Sequence, residues 1–432
     1  MAITAAEQYL LELINRARLD PAAEAARYGI DLNAGLAPGQ LNTASRQVLA
    51  PNVLLENAAI KHSQWMIATD IFSHTETNGS TPGSRATAAG YVWSTVGENI
   101  AWRGLATTVN FNTMIDLQHR DLFLSAGHRV NILNGAYKEI GIAQEGGLFL
   151  YGGKNYNSSM ITELFGTSGS KVMLTGVAYT DTDHNNFYTI GEARAGISFA
   201  AQGLSTATAV AGGYTLALAA NAAVAVTGTV GTTAFSATVD MSKGNVKLDV
   251  VDAKTFLTSG NITLGTGLHN VTLLGVSGLT AVGNGFANII TGNSGGNSIT
   301  AGAGADVVNG MAGNDTLLGG AGADTVNGGL GNDRIDGGFD SDRMYGNAGA
   351  DVFVFADNFG RDVVSDFSVA ALDKLSLDDQ IWGGTVMTAA QVVSNFAHVV
   401  AGGVTFEFSA NEAITLTGLT SLSGLANAIQ IV

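Results

Sequence analysis

The chain opens on a helical pattern. Leu10, Leu11, Leu13, Ile14 and Leu19 form an apolar face behind a Thr4 and Glu7 capping box, and Asp20-Pro21 ends it. A second helix is expected from Asn52 to about Phe72, with Leu54, Leu55, Ala58, Trp65, Met66 and Ile67. IGIAQ, LFLYG and MITELFG then read as strands, so residues 1–170 predict an α+β domain. From Lys171 the pattern is one of short strands. VMLTGVAYT, FYTI, ISFAA, TATAVAGGYTLALAA, AVAVTGT and AFSATVDM predict a small β-sandwich over 171–240. Residues 241–282 carry NITLG, NVTLLG and LTAVGNG, apolar strands at nearly constant spacing that read as the leader of a solenoid.

From Gly283 to Val354 the pattern becomes strictly periodic, with a repeat of nine. The eighth slot holds Ile290, Ile299, Val308, Leu317, Val326, Ile335, Met344 and Phe353. The sixth holds Asn288, Asn297, Asp306, Asp315, Asp324, Asp333, Asp342 and Asp351. GMAGNDTLL, GGAGADTVN and GGLGNDRID fit G-G-x-G-x-D-x-U-x, where U is apolar. Glycine supplies backbone positions closed to a Cβ, and the last three residues of each block form a strand whose apolar side chain points inward. Stacked blocks therefore bury a continuous apolar ladder and turn carbonyl oxygens and an Asp carboxylate toward one another, an oxygen cage suited to Ca²⁺.

Composition changes the picture in three ways. Of the 57 Gly, set against only 4 Pro, 19 fall within the 72 residues from Gly283 to Val354, where the period places them. The 13% charged residues with a hydrophobic share of 46% invite a membrane reading, but Ser, Thr, Gly and Asn interrupt even the uncharged stretch Ala195–Val239, and no apolar run of ~20 residues spans a bilayer. Residues 1–170 carry 14 acids and 11 bases, whereas 171–432 carry 22 acids and 9 bases. That acidic balance excludes nucleic acid as a partner and suits cations. Cysteine is absent, so metal or core size must replace disulfides. The N-terminus lacks a basic segment followed by an apolar core, and no cleavable secretory signal is expected.

The nonapeptides resemble those of the haemolysin-type (RTX) calcium-binding proteins. The resemblance implies a parallel β-roll, with calcium between blocks i and i+2. It makes Asp306, Asp315, Asp324, Asp333, Asp342, Asp351, Gly304, Gly313, Gly322 and Gly331 the calcium ligands of residues 283–354. The Asp pairs it implies are 306 with 324, 315 with 333, 324 with 342, and 333 with 351. Such a roll is expected to be unfolded without calcium and to fold at roughly 10⁻⁴–10⁻³ M. Residues 355–432 are similar to the C-terminal cap and uncleaved secretion signal of these proteins, ending in the apolar tail from Leu425. This implies type I secretion machinery as a partner and an extracellular or cell-surface location. Asp362 and Asp366 read equally well there as ligands or as solvated turn residues.

LLELINRARLDP, HSQWMIATDIFSH, GYVWSTVGENIAW and SAGHRVNILNGAYKEIGIA resemble the CAP superfamily (SCP or pathogenesis-related-1-like, bacterial type). The implied fold is an α-β-α sandwich with a cleft holding two His and two Glu. His74, Glu98 and His128 match that cluster, as a candidate catalytic set or as zinc ligands through His74 and His128. The second Glu is replaced by Ser125, and His119 and Asp121 stand nearby in sequence as substitutes. His62 reads as structural. The cleft is expected to bind a lipid, cell-envelope or protein ligand, the alternative being a peptidase-like, metal-assisted hydrolase. No G-x-S-x-G, H-E-x-x-H or Cys nucleophile favours the latter.

Between the two, Asp181 to Glu192 matches a twelve-residue EF-hand loop. Asp181, Asp183 and Asn185 stand at positions 1, 3 and 5, the Phe187 carbonyl at 7 and Glu192 at 12, a calcium loop in a β context. The expected architecture is thus multidomain: an α+β domain, a small β-sandwich and a parallel β-roll solenoid.

Overall fold

The computed structural model describes residues 3–432, which form two compact units. One comprises the chain up to Ala234 with Asp240–Ala253, the other Phe235–Val239 with Lys254–Val432.

In the first unit, α1 (Ala5–Leu19) starts on the Thr4 and Glu7 capping box, both of whose reciprocal bonds form. Asp20 ends it and caps α2 (Pro21–Arg27), its side chain accepting from the Ala23 N–H. α3 (Val53–Thr69) starts on Asn52 and stops where Asp70 turns left-handed. α4 (Pro82–Ala88), α5 (Phe111–Leu124) and α6 (Ala126–Ile132) follow. The sheet contains β1 (Ala50–Pro51), β2 (Thr95–Leu105), β3 (Glu139–Tyr151) and β4 (Lys154–Thr167) in the order β1-β3-β4-β2, with only the β1 pairing parallel. IGIAQ and LFLYG run together as β3, longer than the sequence pattern suggests, because Glu145-Gly-Gly continues the ladder opposite Ser158, Ser159 and Met160.

Alternation along β4 sorts the core. Ile161 and Phe165 join Leu10, Ile14, Ile115 and Phe123 of α1 and α5, whereas Leu164 packs with Leu55 and Ala59 of α3. Helices therefore cover both faces, giving three layers. α3 lies so close to β3 that a Cβ at Gly141 would run into the backbone of Leu55 and Glu56.

The segment after β4 contributes strands to two sheets. Strand Val172–Tyr179 lies between Gly213–Leu218, antiparallel, and Val246–Val251, parallel. Ser198–Ala201 lies between Leu204–Ala207 and Val224–Val230. Phe199 and Tyr214 stack with centroids 3.7 Å apart, joining the two sheets. FYTI is a loop rather than the expected strand, and it buries Tyr188. The module is keyed to α1 by charge: Lys247 pairs with Glu12 at 2.8 Å and with Asp249, all three buried.

The second unit is a parallel β-solenoid of about seven turns. Strands pair with the strand two blocks on, so Ile299, Leu317, Ile335 and Phe353 stack in one wall and Val308, Val326, Met344 and Val364 in the other. Every apolar residue of the eighth slot is at most 1% exposed. Each such burial contributes roughly 1.5–3 kcal/mol. At the C-terminal end both walls continue through residues outside the repeat, with Arg361–Val364 pairing Ala413–Thr417 and Lys374–Leu377 pairing Ile429–Ile431. No helix among the described residues is long and apolar enough to cross a membrane.

Candidate functional sites

Glu98, on β2, is buried at the centre of the first site. Its Oε1 lies 2.9 Å from His74 Nδ1 and 3.7 Å from His62 Nε2, and its Oε2 accepts from Arg85 Nη2 at 2.6 Å. His62 Nδ1 lies 3.3 Å from Glu76 Oε1. Arg85 also donates to the carbonyls of His74 and Ser80, tying α4 to the loop that carries His74. His62 is fully buried and its pKa is lowered by burial, against the opposing pull of Glu98. His128, on α6, is lowered by burial and then by His74, and its Nδ1 is buried without a hydrogen-bond partner. Two imidazoles held toward the neutral form near a locked carboxylate can accept or relay a proton.

Of the residues predicted for this cleft, His74 and Glu98 are hydrogen-bonded and His128 feels the charge of His74. The two suggested substitutes, His119 and Asp121, are paired with other residues. His119 is buried with its Nε2 3.0 Å from Glu24 Oε1, in a network completed by Arg16. Asp121 pairs with Arg103 at 2.6 Å, and Ser125 opens α6 without a side-chain cap bond. A further carboxylate, Glu76, joins the cluster through the buried His62, which lies between it and Glu98. The signal for Glu76 was its place two residues after His74 in one short loop.

The donor set does not fit zinc. Arg85 neutralises one oxygen of Glu98, and the sole group of three His, Cys, Asp or Glu side chains with ligand atoms within 4.8 Å of one another, among the described residues, is Asp181, Asp183 and Glu192. In that loop Asp181 and Glu192 are buried and Asp183 is exposed. Burial pushes the Glu192 carboxyl up, but the Thr182 hydroxyl and the Thr189 and Thr182 N–H groups, all donating to it, outweigh that and lower its pKa. Asn185 donates to Asp183, and Asn186 takes the left-handed turn of position six with φ 55°. Phe187 leaves the loop to pack on α1, with the Arg16 guanidinium 4.9 Å from its ring centre and Tyr9 beyond.

The second centre is the roll. The sixth-slot side chains form two columns joined by a repeated bond, in which the backbone N–H of each donates to Oδ1 of the residue one turn on. One column runs Asn288, Asp306, Asp324, Asp342 and the other Asn297, Asp315, Asp333, Asp351. In all six aspartates Oδ2 is buried and has no hydrogen-bond partner. An orphaned buried carboxylate oxygen at every turn fits a bound cation, and carbonyl-lined surroundings select a hard one. Gly304, Gly313, Gly322 and Gly331 all have positive φ; a Cβ on Gly331 would collide with the Gly313 carbonyl and one on Gly322 with that of Gly304. Without a cation, burial drives these acids up: Asp315 and Asp342 to about 7, Asp324 and Asp351 to about 6. The Asn288 and Asn297 amides are satisfied, donating to His269 O and Asn293 Oδ1, and so open each column without a charge.

Two segments, 282–317 and 318–353, each match the family described as RTX calcium-binding nonapeptide repeat (4 copies), and residues 11–147 match the cysteine-rich secretory protein (CAP) family. The chain joins a CAP domain to an RTX calcium-binding roll. Its CAP domain reaches this fold with no cysteine at all. Among solved structures, an extracellular SCP-domain protein from Bacillus anthracis is similar at 24% identity, covering 28% of this chain and 35% of that one, with a TM-score of 0.22. An outer surface protein from Borrelia burgdorferi aligns at 16% identity over 39% of this chain and 97% of its own, TM-score 0.25. The extracellular lipase LipA of Serratia marcescens aligns at 15% over 39% and 45%, TM-score 0.18. The chain thus spans about a third of the Bacillus protein and under half of the lipase. No curated protein matches it.

Proposed function

We propose that this is an exported protein whose RTX roll folds on extracellular calcium, after leaving the cell unfolded through a type I channel, and whose CAP cleft binds a lipid, cell-envelope or protein ligand. The observation that carries the reading is the pair of columns of buried aspartates, each with one unpartnered oxygen. Asp306, Asp315, Asp324, Asp333, Asp342 and Asp351 would hold calcium, together with carbonyls of the glycine turns that include Gly304, Gly313, Gly322 and Gly331. Bound calcium supplies positive charge that lets ionised carboxylates stay buried, so binding and folding are one event. Circular dichroism of the full chain tests this: strand signal should be lost in chelator and regained in millimolar calcium. Equal spectra in the two conditions would refute it.

Asp181, Asp183 and Glu192, with Asn185 and the Phe187 carbonyl, are proposed as a further calcium loop. Its support is the convergence of three carboxylates on one point. Glu192→Gln should then lower the number of bound calcium ions.

A hydrolytic reading of the cleft has one observation in its favour. His74 is about half exposed while bonded to a carboxylate fixed by Arg85, the arrangement of an oriented general base. A peptide and ester substrate screen with His128→Ala as control separates the two: turnover lost in the variant supports hydrolysis, and its absence in the wild-type protein leaves binding.

A further inference from the structure

The column chemistry does not stop where the repeats stop. After Val354 the nine-residue period is broken by an insertion, yet Asp362 takes the next place in the first column. The Asp342 N–H donates to Asp362 Oδ1 at 2.9 Å, as each N–H below it donates to the aspartate above. Asp362 is 1% exposed, and its Oδ2 is buried without a hydrogen-bond partner, as in the six repeat aspartates. Gly360, two residues earlier, has φ 89°, and a Cβ there would collide with the carbonyl of Asp340. The same fit joins Gly331 to Gly313 inside the array. The insertion therefore rebuilds one more turn with the donor geometry of the repeats, although twenty residues rather than eighteen separate Asp342 from Asp362.

The second column ends differently. Asp373 receives the Asp351 N–H on Oδ1 at 3.1 Å, but its Oδ2 accepts from the Ser368 N–H at 2.8 Å. Both its oxygens are used. Asp366 is likewise spent, on the Gly346 and Asn347 N–H groups. A carboxylate satisfied by backbone amides is a closed end, whereas a buried one with a free oxygen asks for a cation.

We propose that Asp362, outside the repeat, pairs with Asp342 to hold one further Ca²⁺ at the junction of roll and C-terminal cap, and that Asp373 closes the other column without metal. The two columns then differ in length by one ion, and that ion fastens the cap strand Arg361–Val364 to the strand Arg343–Ala348 beneath it. The inference rests on the calcium reading of the roll, and the test is built so that the two fail separately.

Calcium stoichiometry of the full chain, by equilibrium dialysis at saturating calcium, is compared among wild type, Asp324→Asn, Asp362→Asn and Asp373→Asn. Asp324→Asn should lower the count, Asp362→Asn should lower it by one ion, and Asp373→Asn should leave it unchanged. If Asp324→Asn lowers the count and Asp362→Asn does not, or if Asp373→Asn also loses an ion, the proposal is overturned while the roll reading stands. If Asp324→Asn retains every ion, the roll reading itself fails. Should Asp362→Asn not fold, crystals of the wild-type chain grown in calcium decide. An ion between the Asp342 and Asp362 carboxylates and none at Asp373 supports the proposal, and water alone at Asp362 overturns it.

Discussion

Arg85 Nη2 lies 2.6 Å from Glu98 Oε2, and both side chains are buried. Removing one member of a buried pair leaves the other charged and unpaired, a loss of about 3–5 kcal/mol. Arg85→Ala should therefore lower the stability of the CAP-containing unit by about that amount in denaturant unfolding. His74→Ala, at the half-exposed edge of the same cluster, should cost far less.

Glu163 sits on β4 with no exposed surface, one oxygen bonded to Asn99 and the other unpartnered, and burial pushes it up to about 7 from 4.5. The folded pKa is raised, so the stability this group contributes is complete below about pH 4.5 and is lost as pH rises through about 7. Melting of the CAP-containing unit, followed by tryptophan fluorescence, should therefore fall between about pH 4.5 and pH 7 and level off above. Glu163→Gln should flatten that slope, and a slope unchanged in the variant would assign it to another group.

In the roll, burial raises Asp315 and Asp342 to about 7 and Asp362 to about 8. Their stabilising contribution in the absence of calcium is present below about pH 4 and lost as pH rises through 6–8. Calcium-stripped protein should therefore gain strand signal on acidification from pH 8 to pH 5.5. Calcium affinity runs the other way, because the ion requires ionised ligands. The calcium midpoint should be about tenfold or more higher at pH 6 than at pH 8, as protonation of more than one carboxylate must be reversed.

Lys247 pairs with both Glu12 and Asp249 at the contact of α1 with strand Val246–Val251. Asp249 is raised to about 6 by burial, against the pull of Lys247. Lys247→Met keeps most of the volume and leaves two carboxylates facing each other, and should destabilise the first unit by about 3–5 kcal/mol. Glu12→Gln leaves Lys247 and Asp249 balanced and should cost less. Equal losses in the two variants would mean that packing, not charge, holds this contact.

The roll was legible because one residue in nine decides each feature. The eighth slot became the core, and the sixth became the columns. Asp362 was ambiguous for the same reason, since an insertion of two residues moves it out of the period while the backbone restores its position. The CAP cleft was read through local strings, which placed His74, Glu98 and His128. His62 was read as structural, and Glu76 was not singled out, because its contact with His62 depends on how the loop after α3 folds back over the helix. His119 misled because sequence neighbours on α5 face opposite sides, and its side chain points to Glu24 on α2. The charge contact between Glu12 and Lys247 joins residues with no shared motif, and only packing brings them together.

Consecutive repeats alternate between the two walls, while hydrogen bonds and carboxylates connect every second one. The unit that can be added or removed without disturbing its surroundings is thus eighteen residues, not nine. Losing one nonapeptide would send each later strand to the opposite wall and offer the cap the wrong column, exchanging the open Asp362 for the closed Asp373. Losing two would shorten the molecule and leave every remaining neighbour in place. A lineage of such proteins is therefore expected to vary its roll in even steps, with parity held by the cap rather than by the repeats themselves.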